Sequence, residues 1–183
     1  IKSRQEKPQV LYVGRLDGNK RPEWLLDAFL QAESEQFELH FVGSGPRQKL
    51  LEEKIEKSDR SSDIYLHGQI PRQQVLERMQ EAAIFVLPSD FENCPNVIVE
   101  AIASGCPIVA SNTMGARQLL IDGETGLLFE KSNKKQLRDY LDELLRSEQR
   151  RRKLGRDAHE YAQENHTASV VADKYLQIGR EVI

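Results

Sequence analysis

Val86-Leu-Pro-Ser-Asp-Phe-Glu-Asn-Cys-Pro-Asn-Val-Ile-Val-Glu-Ala-Ile-Ala-Ser-Gly105 passes from a short apolar run, through a polar loop, into a helical pattern. Pro95 stands where a first helical position is expected, with polar Asn93 shortly before it, so the spacing predicts a helix whose free N–H groups point back into the loop. Glu92 lies in that loop. Glu100 follows inside the helix, among Val97, Ile98, Ala101 and Ile102. Burying an unpaired carboxylate in so apolar a helix is costly, so a polar partner is expected opposite Glu100.

The same strand, loop and helix sequence repeats on either side of this stretch. Val10–Gly14 reads as a buried strand, and Pro22–Leu30 follows it with Leu25, Leu26, Phe29 and Leu30 on one helical stripe. Phe37–Gly43 is a second strand, followed by Ser44-Gly-Pro46 and a polar helix through Ile55. Ile64–His67 is a third strand, and Pro71 opens a helix with the stripe Val75, Leu76, Met79, Ala82 and Ala83. Ile84–Leu87, Pro107–Ala110 and Leu127–Phe129 are the fourth, fifth and sixth strands. The rest is helical, with stripes at Leu137, Tyr140, Leu141, Leu144 and Leu145 and at Val171, Tyr175, Ile178 and Val182.

Short apolar strands separated by amphipathic helices imply a parallel sheet covered on both faces, an α/β doubly wound fold of about six strands with C-terminal helices. In the common strand order 3-2-1-4-5-6, a crevice opens at the carboxyl ends of strands one and four. The loop after strand one carries Arg15 and Lys20, and the loop and helix after strand four carry Glu92 and Glu100. A cationic pair and a carboxylate pair would therefore meet at one crevice. That set complements a nucleoside diphosphate carrying hydroxyls. Arg15 and Lys20 suit phosphate oxygens, helix N–H groups near Asn96 and Val97 add partial positive charge, and carboxylates accept from vicinal diols. A single loop cation is commonly just solvated, and a glutamate in a first helical turn is often only a dipole partner; the convergence of four such groups favours a site.

Composition narrows the alternatives. The 183 residues suit a single domain, 1–183, and the net charge of −3 gives no reason to expect a nucleic-acid partner. Cys94 and Cys106 lie at opposite ends of the predicted helix, too far apart to bridge at about 1.5 Å per residue. Free thiols imply a reducing, cytoplasmic setting, and neither a signal peptide nor a membrane span is seen. A start at Ile1 rather than Met implies a piece of a longer protein.

Other chemistries find less support. Gly43-Ser-Gly45 begins a G-x-G-x-x-G, but Gln48 replaces the third glycine and the segment follows the second strand. Gly14–Arg21 departs from a P-loop at Asn19 and Arg21. His40 and His67 read as satisfied strand histidines, His159 and His166 as surface residues, and Cys94 has no histidine placed to activate it. No Asp-x-Asp pair is present to hold a divalent cation, so no metal is expected. The cluster Arg150-Arg-Arg-Lys153 with Arg156, interleaved with acids, reads as a solvated helix face; the alternative is a peripheral contact with an anionic membrane at the inner face.

Taken in order, Gly14-Arg-Leu with Lys20, Val42-Gly-Ser-Gly-Pro46, Pro88-Ser with Glu92 and Glu100, Glu100-Ala-Ile-Ala-Ser-Gly-Cys-Pro-Ile-Val-Ala-Ser111 and Asp122-Gly-Glu-Thr-Gly126 resemble the C-terminal half of glycosyltransferase family 4, the retaining GT-B enzymes. The resemblance covers most of the chain. It implies a Rossmann-like domain that holds a nucleotide-diphosphate sugar, UDP- or GDP-linked, while an N-terminal domain of the same polypeptide, absent here, holds the acceptor. Carried across by position, Arg15, Lys20 and Glu92 are the implied catalytic residues. Arg15 and Lys20 would neutralise the diphosphate beside Gly14, and Glu92 would face the transferred hexose-type sugar. Glu100 would bind the ribose hydroxyls. N–H groups from Asn93, Cys94, Pro95, Asn96 and Val97 would line the pocket, and Gln69 and Ile70 would lie along the base. No metal or other cofactor is implied, and the isolated domain would be inactive in transfer. Arg21 where glycine is common, Met114 where a first glycine is usual and Gln118 where glutamate is frequent depart from the family pattern. The alternative reading is a stand-alone nucleotide-binding or regulatory module without transferase activity.

Overall fold

Six parallel strands alternate with helices in the computed structural model of the chain, which describes residues 7–165. In chain order these are β1 (Gln9–Val13), α1 (Pro22–Leu30), β2 (Glu38–Val42), α2 (Gln48–Glu56), β3 (Ile64–Leu66), α3 (Arg72–Glu81), β4 (Ala82–Leu87), α4 (Asn96–Ala103), β5 (Ile108–Ser111), α5 (Met114–Leu119), β6 (Leu127–Phe129), α6 (Lys134–Arg146) and α7 (Glu148–Asn165). The sheet order is β3-β2-β1-β4-β5-β6, so the order reverses between β1 and β4, as the doubly wound reading requires. The stripe at 171–182 and His166 lie outside the described residues.

Alternation along the strands sorts the core into two layers. Val10, Tyr12, Leu39, Phe41, Ile84, Val86 and Val109 pack with Leu25, Leu26 and Phe29 of α1, Leu51 of α2 and Leu137, Leu141 and Leu144 of α6. Leu11, Phe85, Leu87, Ile108 and Ala110 face the other way, against Val75 and Met79 of α3, Ile98, Ala101 and Ile102 of α4, Ala116 of α5 and Ala158 of α7. Strands buried on both faces show no polar alternation, which is why they read as short apolar runs.

Two expectations are corrected at element ends. Ala82 and Ala83 belong to β4 rather than to the α3 stripe. Gln9 pairs with Ala82 and Val10 with Ile84, which makes Ala83 an extra residue in the ladder. Pro95 and Pro71 precede their helices instead of opening them. The six-residue α5 has no counterpart in the sequence reading. It is short, and it is held by the Thr113 side chain, which accepts from Ala116 N–H at 3.3 Å.

The basic cluster on α7 is mostly paired. Arg152 meets Glu148 at 2.5 Å, Lys153 pairs with Asp157, and Arg150 meets Glu143 at 3.0 Å. Arg151 turns inward, donating to the Leu144 and Leu145 carbonyls that end α6. Arg150 also donates to the Gly123 carbonyl at 3.0 Å.

His40 and His67 satisfy each other on the β2–β3 side of the sheet. Arg78 approaches His40 Nδ1 at 3.3 Å and His67 Nδ1 at 3.5 Å, so both nitrogens accept. His67 Nε2 then donates to His40 Nδ1 at 2.9 Å, and His40 Nε2 to Glu38 at 3.4 Å. Burial first, and then the Arg78 charge, holds His67 down to about 4; burial also lowers His40, against the pull of Glu38. The unfolded chain protonates near the ordinary value of about 6.5. Between that pH and about 4 the unfolded state therefore binds more protons than the folded one, and stability falls as pH drops through this window. Urea denaturation from pH 7 to 4 is expected to show a falling midpoint, with a shallower slope in His67→Asn.

Candidate functional site

The β1–α1 loop and the β4–α4 loop are laced together across the point where the strand order reverses. Asp90 N–H donates to the Asn19 carbonyl at 2.8 Å, and the Asn19 amide donates to the Phe91 carbonyl at 3.1 Å. Arg21 donates to Asp90 at 2.6 Å. Lys20 Nζ pairs with Glu92 Oε1, where the lysine side chain is 22% and the glutamate 10% exposed. The structure thus brings Lys20 and Glu92 together directly, a cation from one loop against a carboxylate from the other.

The first loop is organised by Asp17. Its Oδ1 accepts the N–H groups of Asn19 and Lys20, both at 3.0 Å, in an Asx-type turn, and its Oδ2 meets Arg15 Nε at 3.2 Å. Arg15 is otherwise open, its side chain 74% exposed. Beneath the loop the Tyr12 hydroxyl donates to the Arg15 carbonyl at 2.7 Å. Burial, reinforced by the charges of Asp17, Glu92 and Glu23, raises the Tyr12 phenol far above its ordinary range, so it remains a donor at any working pH. Arg21 sits in the left-handed region at φ 49, a conformation that glycine adopts without strain. Here the bond to Asp90 holds the arginine in place, and the same bond raises the Arg21 pKa.

Gly43-Ser-Gly45 serves this loop rather than a dinucleotide. Gly14 N–H donates to the Val42 carbonyl and Leu16 N–H to the Ser44 carbonyl, both at 3.0 Å. A Cβ on Gly43 would lie 1.9 Å from the Gly14 oxygen, and one on Gly45 2.4 Å from the Leu16 oxygen. Backbone meets backbone here, and nothing larger than glycine fits.

The second loop is clamped from the β5 side, where Gly115 N–H donates to the Glu92 carbonyl at 2.9 Å. Pro95 has no N–H, and that of Asn96 is taken by the Cys94 carbonyl at 3.0 Å. The expected run of N–H groups over 93–97 is therefore corrected to those of Asn93, Cys94 and Val97. Cys94 is exposed and Cys106 buried, the latter's thiol pushed up to about 12 by burial.

Glu100 does find a polar partner. Arg72, at the start of α3, reaches Glu100 Oε1 at 2.9 Å, with the glutamate side chain 20% exposed. Ile70, just before it, is half-buried against the core layer of α3 and α4, and Gln69 donates to Ser44 at 3.0 Å. Sequence reasoning passed over Asp17, Asn19, Asp90, Gly115 and Arg72. Asp17-Gly-Asn19 carries a turn signature that could have been read, whereas Arg72 acts through a contact between helices that no local pattern announces. Among the described residues no group of three or more His, Cys, Asp and Glu is placed to hold a metal ion, and no helix is long and apolar enough to cross a membrane.

A family model described as glycosyl transferases group 1 matches residues 1–161. The chain belongs to this family. It is 31% identical, over 83% of its length, to an uncharacterized glycosyltransferase of Methanocaldococcus jannaschii, of which it covers 42%. Among solved structures, sucrose-phosphate synthase from Thermosynechococcus elongatus superposes with a TM-score of 0.82 at 29% identity, over 96% of this chain and 45% of that one. The Anabaena protein HepE, solved in complex with UDP and glucose, superposes at 0.83 with 21% identity, over 96% of this chain and 49% of that one. The group 1 chain thus spans less than half of these proteins.

The tight approach at Gly115 makes a direct test of the clamp. A Cβ there would lie 2.5 Å from the Asn93 oxygen and 2.7 Å from Pro95 Cδ. Gly115→Ala is expected to destabilise the fold by about 1–3 kcal/mol in urea denaturation, through overpacking of the Glu92–Pro95 loop.

Proposed function

We propose that this chain is the donor-binding half of a retaining GT-B enzyme of glycosyltransferase family 4. In this reading the enzyme transfers a hexose-type sugar from a UDP- or GDP-linked donor, in the cytoplasm, to an acceptor held by an N-terminal domain of the same polypeptide. The observation that carries the reading is the Lys20–Glu92 pair at the β1/β4 switch point, with Arg15 on the same loop as Lys20 and the N–H groups of Asn93, Cys94 and Val97 leading into α4. The family membership and the HepE complex with UDP and glucose support it, as does a chain length close to half that of its relatives.

The roles follow from charge. Breaking the bond between the sugar and the diphosphate leaves negative charge on the departing phosphate. Arg15 and Lys20 stabilise that charge more in the transition state than in the bound donor, which is catalysis by preorganised electrostatics. The acceptor hydroxyl oxygen then bonds to the anomeric carbon from the face the diphosphate leaves, and its proton passes to the departing phosphate oxygen. Glu92, anchored through its carbonyl to Gly115 and through its carboxylate to Lys20, faces the sugar, and Glu100 takes the ribose hydroxyls. The protein side of this chemistry needs no cofactor beyond the donor.

Calorimetry with UDP, GDP and ADP tests the reading on the chain itself. At least one is expected to bind at millimolar concentration or below, and Lys20→Ala is expected to weaken it by about tenfold, the scale of one charge-assisted contact. No binding of any nucleoside diphosphate would overturn the reading, and binding indifferent to Lys20→Ala would remove that residue from the phosphate site.

A further inference from the structure

The Arg72–Glu100 pair joins two helices, α3 and α4. Glu100 stands on the apolar helix α4, between Val97 and Ala101, with its side chain 20% exposed, and Arg72 reaches it from the first turn of another helix, α3, at 2.9 Å. The arginine is 79% exposed and contributes almost nothing to the core. Its closest approach is to one oxygen, Oε1. An ionised carboxylate offers about four acceptor sites on its two oxygens, so a guanidinium on one leaves room for two hydroxyl donors.

We infer that Arg72 is a positioning residue for ribose recognition, holding the Glu100 carboxylate so that its remaining acceptor sites meet the 2′- and 3′-hydroxyls of the bound nucleotide. The inference rests on the proposed assignment of the ribose to Glu100. Arg72 sits two residues after Ile70, so the chain that lies along the base in that reading also carries the group that orients the ribose acceptor. Base and ribose contacts are then coupled through one short segment, 70–72. Without Arg72 the carboxylate keeps its charge but loses the partner that fixes its rotamer. Its hydrogen bonds to a diol then carry the cost of ordering the side chain.

The test compares UDP, GDP and ADP, each with its 2′-deoxy counterpart, on wild type, Arg72→Ala, Arg72→Lys and Glu100→Gln by calorimetry, with melting temperature as the folding control. The wild type is expected to prefer the ribonucleotide by about tenfold, the scale of a hydrogen bond to a charged acceptor. Arg72→Ala should cut that preference to about threefold or less by weakening the ribonucleotide alone, with the melting temperature unchanged, and Arg72→Lys should restore part of it. Equal weakening of both sugars would mean a general attraction for the diphosphate, and an unchanged preference would mean a solvated charge; either overturns the role of Arg72 alone. A wild type without ribose preference, or a preference that survives Glu100→Gln, would overturn the ribose assignment of Glu100 and this inference with it.

Discussion

Two polar loops are held edge to edge at the place where a parallel sheet reverses its strand order, and the geometry of the site depends on that contact. Parallel strands place the loops that follow them at one edge, but neighbouring loops usually diverge as their helices go to opposite faces. Here α1 goes to one layer and α4 to the other, so the two loops are drawn apart by the very topology that opens the crevice. The Asp90 to Asn19 and Asn19 to Phe91 hydrogen bonds, with the Arg21–Asp90 and Lys20–Glu92 pairs, hold them together across it. Lys20 and Glu92 are therefore presented by a braced frame rather than by two independent loops.

The frame demands small residues where backbones touch. Gly43 and Gly45 let the β2–α2 loop lie against Gly14 and Leu16, which fixes the backbone beneath Arg15. Gly115 does the same for Glu92 from the other side. At both places the side chain that carries charge is positioned by a glycine in a neighbouring segment, so the precision of the site comes from close packing of main chain. Tyr12 completes the support from below, since burial keeps its hydroxyl protonated and donating to Arg15.

The two-layer core could be read from the sequence because strands such as Val10–Tyr12 and Ile84–Leu87 are buried on both faces and carry apolar side chains at every position, whereas the strand order rests on the common doubly wound pattern. The meeting of Lys20 and Glu92 followed from that order, while Arg15 turns to Asp17 and Glu100 to Arg72. What could not be read were the cross-strand details. Ala82 and Ala83 continue the helical stripe of α3 on paper, and only the ladder with Gln9 and Val10 claims them for β4. Helix α5 is six residues held by one cap and by its contact with Asn93, so its stability is tertiary rather than periodic. The partner of Glu100 was expected as a type but not as a residue, because the α3–α4 contact that delivers Arg72 leaves no local spacing.

The charge balance of the site bears on how a dianionic ligand could enter it. Arg15 with Asp17, Lys20 with Glu92, Arg21 with Asp90 and Arg72 with Glu100 leave each of these cations facing a carboxylate, so the unliganded edge is close to neutral. A diphosphate must then either share these cations with their carboxylates or draw them away. Arg15 is the least costly to redeploy, since an exposed pair is worth at most about 1 kcal/mol. Lys20 differs, because Glu92 is 10% exposed and would be left as an uncompensated, nearly buried charge. Under the proposed function the lysine therefore bridges phosphate and Glu92 at once, using two of its three donors. Glu92 in turn keeps its orientation toward the sugar while the charge on the leaving group grows.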